Sequence, residues 1–161
     1  RVFICHKDAK YKTNFGSLNK CKRLEKKYIN MKYFYKFKNN IVKLSIKLNN
    51  LVKKLKENNK SIHVYGASTK GNVILQYSKI NKSLINFAAD RNPLKWSRKM
   101  PGSNIPIVSE KDSRLKKPDF YLVLPWHFKD EFIEREKNFL LSGGGLIFPL
   151  PNVKIIKKKK N

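Results

Sequence analysis

The stretch with the clearest potential for chemistry is residues 61–72, Ser-Ile-His-Val-Tyr-Gly-Ala-Ser-Thr-Lys-Gly-Asn. A run of β-forming residues ends at Gly66, small and hydroxylated residues follow, and a helix-compatible pattern begins at Gly71. Such an arrangement forms an anion site, because N–H groups of the loop and of the first helical turn point into the same space. Lys70 adds a positive charge that can reach a phosphate, and the two hydroxyl residues before it add donors or a helix cap.

Polar or aromatic residues also follow three later apolar runs, at residues 90–92, 126–127 and 149–151. In a parallel sheet the carboxyl ends of the strands meet at one edge, and ligands bind there. Asp90 lies 24 residues after Gly66, near the ~20-residue offset at which an acidic residue holds a ribose hydroxyl in dinucleotide folds.

The loop nevertheless departs from both common nucleotide fingerprints. Residues 66–71 contain two glycines instead of the three of the dinucleotide motif, and Lys70 precedes a glycine where a P-loop has Gly-Lys-Ser/Thr. The residues alone therefore indicate a nucleotide-like anion site of moderate specificity.

The elements that must position these residues alternate along the chain. Continuous apolar runs predict strands, and helical spacing or capping residues predict the helices between them. The predicted strands are residues 62–65, 84–89, 105–108, 119–124 and 146–150, the last of the sheet, and the predicted helices are 72–78, a turn capped by Ser109, and 129–141. This alternation predicts an α/β fold with a parallel sheet covered on both faces.

A lysine-rich connector precedes the sheet. Residues 21–30 have helical spacing, and from Ile41 to Leu55 apolar residues recur every three or four positions, which predicts a helix ending at residues 58–59. This stripe could pair with a partner helix, but packing onto its own sheet is favoured. The aromatic cluster at residues 33–37 could stack on nucleic-acid bases, although burial of the aromatics against a neighbouring domain with solvated lysines is the preferred interpretation.

Most of the formal charge of +26 lies outside the predicted sheet. Residues 1–60 hold 18 lysines and arginines against three acidic residues, whereas residues 61–150 hold 14 against eight. Lysine greatly outnumbers arginine, which is more typical of a compositional bias than of a groove that reads bases. We therefore expect salt-sensitive binding to RNA or acidic surfaces only as a side effect, and no specific nucleic-acid partner.

The composition also limits location and metal binding. No apolar run approaches the ~20 residues needed to span a bilayer, so no membrane partner is expected. Cys5 and Cys21 lack metal-ligand spacing and are expected to be reduced thiols of a cytoplasmic protein. The chain begins without Met, in what is predicted to be a strand over residues 1–6 followed by a loop over residues 7–19. We therefore expect the C-terminal piece of a longer protein.

Five ordered segments carry a resemblance that covers nearly the whole chain. They are Tyr-Gly-Ala-Ser-Thr-Lys-Gly-Asn (65–72), Ala-Ala-Asp-Arg-Asn-Pro-Leu-Lys-Trp (88–96), Pro-Gly-Ser-Asn-Ile-Pro-Ile (101–107), Pro-Asp-Phe-Tyr-Leu-Val-Leu-Pro-Trp-His-Phe (118–128) and Gly-Gly-Leu-Ile-Phe-Pro-Leu-Pro (144–151). Together they resemble the C-terminal domain of S-adenosylmethionine-dependent sugar-nucleotide C-methyltransferases.

The resemblance implies a Rossmann-like domain that helps hold a nucleotide-sugar and closes over the active site. It also implies a division of the chain into the end of a methyltransferase domain with its linker (1–19), a helical connector (20–60), the Rossmann-like domain (61–153) and a basic tail (154–161). In the family, S-adenosylmethionine, the zinc cysteines and the segment tied to proton abstraction belong to upstream domains. The expected partners are accordingly the nucleotide-sugar and the upstream methyltransferase domain.

Carried over by position, the resemblance gives substrate-binding residues and no catalytic residue. The loop would face the diphosphate with Lys70 as counter-charge, and the later residues would line the same edge. The complete set is Gly66, Ala67, Ser68, Thr69, Lys70, Gly71, Asn72, Asp90, Arg91, Asn92, Lys95, Trp126 and His127.

Each role has a simpler alternative. Lys70 could be a solvated lysine, and Asp90 could cap the following turn through an Asx contact. His127 is a weak candidate for a general base, with loop geometry or substrate contact preferred. His63, inside the first strand of the sheet, is expected to be structural.

Two functions from different classes remain open on the sequence. The first is the substrate-binding domain of a C-methyltransferase that acts on a nucleotide-activated ketosugar. The alternative is a stand-alone nucleotide-binding module without catalytic activity. A Cys-x-x-C pair and a glycine-rich methyltransferase loop upstream of Arg1 would favour the first.

Overall fold

Six short strands form the centre of the protein in the computed structural model, which describes residues 3–158. Five coincide with predicted apolar runs to within three residues at either end, and the sixth lies beyond them. The strands are β1 (Ile62–Tyr65), β2 (Phe87–Asp90), β3 (Ile107–Ser109), β4 (Phe120–Val123), β5 (Gly145–Phe148) and β6 (Lys154–Lys157).

Six α-helices and two 3₁₀ turns, Pro93–Lys95 and Trp126–Phe128, connect or precede the strands. The helices are α1 (Phe15–Tyr28), α2 (Met31–Glu57), α3 (Thr69–Tyr77), α4 (Glu110–Leu115), α5 (Lys129–Arg135) and α6 (Lys137–Leu141). The predicted cap of α4 is confirmed, because the Ser109 hydroxyl accepts a hydrogen bond from the Asp112 N–H. The single helix predicted over residues 129–141 is divided in two at Glu136.

The strand order is β3-β2-β1-β4-β5-β6, the order of doubly wound dinucleotide-binding folds. The first five strands pair in parallel, as predicted. The prediction that β5 is the last strand was wrong, because β6 adds an antiparallel edge strand within the segment interpreted as a basic tail. Its two lysines flank a pair of isoleucines, and one of these, Ile156, packs against the sheet's core.

The sheet buries an apolar cluster on each face, which confirms helices on both sides. On one face Val64 of β1 packs with Leu48 and Val52 of α2 and with Leu75 of α3. On the other face Tyr65, the next residue along β1, packs in a cluster that includes residues of α5 and α6. The side-chain alternation along β1 therefore separates two helical layers.

Two compact units make up the chain, Arg1–Asn40 and Ile41–Asn161. The division falls within α2, so the part of α2 after Asn40 lies in the same unit as the sheet. The predicted packing of its apolar stripe onto the sheet is confirmed at Leu48 and Val52, both at most 1% exposed. No helix within residues 3–158 is both long and apolar enough to cross a membrane.

The predictions for the N-terminal segment were wrong for the strand and for the start of the first helix. Residues 3–6 form no strand, and Arg1 and Val2 lie outside the described residues. Helix α1 begins at Phe15, inside the predicted loop, because the Asn14 side chain accepts a hydrogen bond from Ser17 N–H and caps it. No residue of α1 is buried.

Helix α3 packs very closely against the chain after β4. A Cβ atom added to Gly71 would lie 2.5 Å from Cβ of Leu124, a fully buried residue. Non-bonded carbon atoms do not approach each other so closely. Only glycine therefore allows the first turn of α3 to reach this position. The contact fixes the start of the helix over the end of β4.

Gly71→Ala is therefore expected to destabilise the fold by about 1–3 kcal/mol through overpacking, measured by urea unfolding. Gly16→Ala is the matched control, because its added Cβ would meet only Asn14 Oδ1 at an ordinary 3.5 Å. Combining Gly71→Ala with Leu124→Ala should cost less than the two changes separately. Equal stabilities of the Gly71 and Gly16 variants would contradict the close packing.

His63 lies in β1 as predicted and is buried, with 2% of its surface exposed. Its Nδ1 lies 2.8 Å from the Ser113 hydroxyl, which in turn lies 3.0 Å from the Tyr121 hydroxyl. Burial, assisted by the charge of Lys116, lowers the pKa of His63 from 6.5 to about 4. The residue is thus held neutral inside the fold.

Stability should consequently fall on acidification. The unfolded chain protonates His63 as the pH drops through 6.5, whereas the folded chain does so only near pH 4. The contribution of neutral His63 to the free energy of unfolding is on the order of 1–3 kcal/mol. It is fully present above pH 6.5 and is lost by pH 4. His63→Gln should flatten the unfolding free energy against pH in this window. The exposed control His127→Gln should keep the parent slope, and identical slopes for both variants would contradict the assignment.

Candidate functional site

The loops after β1 and β4 border a crevice at the carboxyl edge of the sheet. The chain runs from β1 to β2 and β3 on one side and continues with β4 and β5 on the other. The loops that follow β1 and β4 therefore lead toward opposite sides of the sheet and leave a gap between them. Open α/β sheets bind ligands at this position.

Gly66 brings the two loops together. Its φ of +87° is favourable only for glycine, and an added Cβ would lie 2.8 Å from Cγ of Pro125. Residues 66–72 and Trp126-His127, which the sequence placed at separate strand ends, thus lie on the two sides of one crevice.

Most N–H groups of the loop are already used inside the protein. Gly66 donates to Ala89 O, Ala67 to Asp90 Oδ2, Ser68 to Gly66 O, Gly71 to Ser68 Oγ and Asn72 to Ser68 O. Among residues 66–72, the Thr69 and Lys70 N–H groups at the start of α3 have no protein acceptor. The groups of the predicted anion site that are free to bind a ligand are therefore these two N–H groups and the exposed Lys70 side chain.

Asp90 clips the loop to the end of β2. Its Oδ2 accepts hydrogen bonds from Ala67 N–H at 2.8 Å and Lys95 Nζ at 3.0 Å, and its Oδ1 accepts one from Asn92 N–H at 2.9 Å. Lys95 Nζ also donates to Ala67 O at 2.9 Å. The Asx contact considered as the simpler alternative is present, and both carboxylate oxygens are engaged.

Arg91 and Asn92 continue this edge. The Arg91 side chain is 69% exposed and donates through Nε to Glu110 at 3.2 Å. Asn92 Oδ1 accepts from Leu94 N–H and caps the following 3₁₀ turn. Gly66, Asp90 and Arg91 border a polar cavity of about 300 Å³ together with residues of α5, which we call the edge cavity.

An ionic cluster around the buried Glu136, which adjoins the edge cavity, was missed by the sequence analysis. Glu136, 1% exposed, accepts two hydrogen bonds of 2.7 Å from Arg114 and one of 2.9 Å from the Tyr65 hydroxyl. Arg135 contacts the same hydroxyl and lies 2.6 Å from Glu110. A sequence signal did exist, since Glu136 falls within the apolar face of the helical pattern over residues 132–140.

The cluster shifts the titration of its members. Burial raises the pKa of the Glu110 carboxyl, an effect opposed by Arg91 and Arg114. The hydrogen bond to Glu136 raises the pKa of the Arg114 guanidinium. These groups are paired with one another, so the cluster holds α4, α5 and β1 together.

Lys70 and Trp126 border a different space, an apolar groove of about 380 Å³. Its walls are α2 and α3, and the ends of β4 and β5 close it; representative lining residues are Leu44, Ser45, Val73, Tyr77 and Leu150. The predicted site residues are therefore brought to one sheet edge but divided between this apolar groove and the edge cavity.

His127 lies in the 3₁₀ turn after β4 with its side chain exposed. Its ring centroid is 5.4 Å from that of Trp126 and 4.3 Å from that of Phe128. It makes aromatic contacts and has no hydrogen-bonded acidic partner within residues 3–158, so the geometry provides nothing that would orient it as a base.

The groups at the crevice fit an anion better than S-adenosylmethionine. Two N–H groups and an ammonium suit phosphate oxygens, whereas Asp90, the residue placed to hold a ribose, has both oxygens engaged. Within the described part of the chain, no group of three or more His, Cys, Asp or Glu side chains could hold a metal ion.

Comparison with known proteins identifies the family. A family model described as the C-methyltransferase C-terminal domain matches residues 1–151. C-methyltransferase NovU of Streptomyces niveus is 38% identical over 106 residues, which are 66% of this chain and 25% of that protein. This chain thus spans about a quarter of the length of that relative. The resemblance seen in the five sequence segments is confirmed, and the chain belongs to the C-methyltransferase C-terminal domain family.

Proposed function

We propose that this chain is the substrate-binding domain of an S-adenosylmethionine-dependent C-methyltransferase that acts on a nucleotide-activated ketosugar. The domain holds the nucleotide diphosphate at the start of α3 and closes over the active site. The observation that carries the proposal is the crevice between β1 and β4, at which two free N–H groups and Lys70 converge.

Charge and geometry support a diphosphate at this position. The N-terminus of a helix carries a partial positive charge, and α3 begins with Thr69 directly after the crevice loop. The cap by Ser68 and the Asp90 clip hold the backbone in place before a ligand arrives. A site whose N–H groups are fixed in advance loses little conformational freedom on binding.

The methyl donor and the base that removes a proton next to the keto group belong, in this proposal, to a preceding methyltransferase domain in a cytoplasmic enzyme. Transfer of the methyl group to the resulting carbanion then takes place outside this chain. The role of this domain is to bind the nucleotide-sugar and to present the sugar to that domain.

The first unit supplies a surface for the preceding domain. Helix α1 buries none of its residues, and Phe15, Leu24 and Tyr28 are each at least half exposed. Phe34 and Phe37, at the start of α2, are exposed as well. Exposed apolar side chains in this number are typical of an interface. The lysines between these side chains remain solvated at the rim of the surface. We propose no specific nucleic-acid partner for them.

Lys70→Ala should weaken binding of a nucleoside diphosphate by about tenfold or more, because a charge-assisted hydrogen bond to phosphate is lost. The increase in melting temperature produced by the ligand should shrink accordingly. The measurement is a thermal-shift titration at low and moderate salt.

The control for this experiment is Lys111→Ala, which removes another exposed lysine, from α4 on the opposite face of the sheet. It should leave the ligand-induced shift unchanged. An unchanged shift in Lys70→Ala would refute the role of the loop, and no shift with any nucleoside diphosphate would refute the proposed function.

The 161-residue chain alone should transfer no methyl group from radiolabelled S-adenosylmethionine to a nucleoside-diphosphate ketosugar. The crevice offers binding groups, and no side chain in it is positioned as a base. Label incorporated into the sugar by the chain alone would contradict this division of roles.

A further inference from the structure

The apolar groove beside Lys70 takes no part in the proposed binding of the diphosphate. One wall is the outer face of α3, where Val73 is 63% and Tyr77 is 52% exposed. The opposite wall is α2 from Ile41 onward, and Trp126 lies at the end of β4. Two large aromatic rings and aliphatic side chains therefore line a space that reaches the sheet edge.

The groove begins where the anion site ends. Lys70 is the second residue of α3, beside the two free N–H groups, and it also lines the groove. Trp126 follows β4 on the other side of the same crevice. A ligand with its phosphates at the start of α3 can thus place an adjoining apolar part directly into the groove.

The polar side-chain atoms of the groove are few. The lining residues supply only the hydroxyls of Ser45, Ser78 and Tyr77, the Trp126 indole N–H and the Lys70 ammonium. The Ser45 hydroxyl is already engaged, since it donates to Val42 O at 2.9 Å. A sugar with several hydroxyls would lose more hydrogen bonds to water here than these few groups can replace.

On the basis of the proposed function, we infer that the apolar groove takes the nucleobase of the nucleotide-sugar. Of the three parts of such a ligand, only the base presents a flat apolar face, which can stack on Tyr77 or Trp126. The sugar then extends away from this chain.

The test measures binding of UDP, dTDP, CDP, GDP and inorganic pyrophosphate to the 161-residue chain by calorimetry. The nucleotides should bind about tenfold or more tightly than pyrophosphate. Tyr77→Ala should weaken nucleotide binding about tenfold and leave pyrophosphate binding unchanged. Leu115→Ala is the control, because it removes a 70% exposed apolar side chain from α4 and should change neither.

The outcomes separate the two proposals. Nucleotide binding that Tyr77→Ala leaves intact, or pyrophosphate that binds as tightly as nucleotides, would overturn the base groove while the diphosphate site stands. Absence of binding by every ligand would overturn the proposed function and the base groove together.

Discussion

The close approach of Gly71 to Leu124 is the contact on which the candidate site depends. It allows the first turn of α3 to lie over the end of β4, and this position places the free N–H groups of Thr69 and Lys70 at the crevice. The Asp90 clip fixes the same loop from the other side. In our proposal, the absence of a side chain at Gly71 and the fully engaged Asp90 carboxylate together set the position of the bound anion.

Several residues predicted to contact the ligand make hydrogen bonds within the scaffold. Asp90 and Lys95 bond the loop, and Asn92 caps a turn, so the chemistry open to a ligand is concentrated at the start of α3. The apolar groove then extends from this point on one face of the sheet. In our proposal the domain holds a nucleotide by its diphosphate and base, and the reactive sugar remains available to another domain.

Much of the fold could be predicted because its strands are buried on both faces and read as continuous apolar runs. β1 was predicted residue for residue, and the cap of α4 followed from Ser109. Helix α1 was misplaced because one Asn14 cap outweighed a loop-like composition. The cluster around Glu136 could not be predicted from the sequence, because the residues that bond to Glu136 come from elements distant in sequence. The site edge was predictable from topology, whereas the engagement of each loop N–H depends on tertiary contacts.

The most direct measurement is an NMR titration of the ¹⁵N-labelled chain with a nucleoside diphosphate. If the diphosphate sits at the start of α3, the largest shifts will be those of the Thr69 and Lys70 amide resonances, with the Trp126 indole N–H also perturbed. Shifts confined to the edge cavity around Arg91 and Glu110, or no shifts at all, would contradict the central claim.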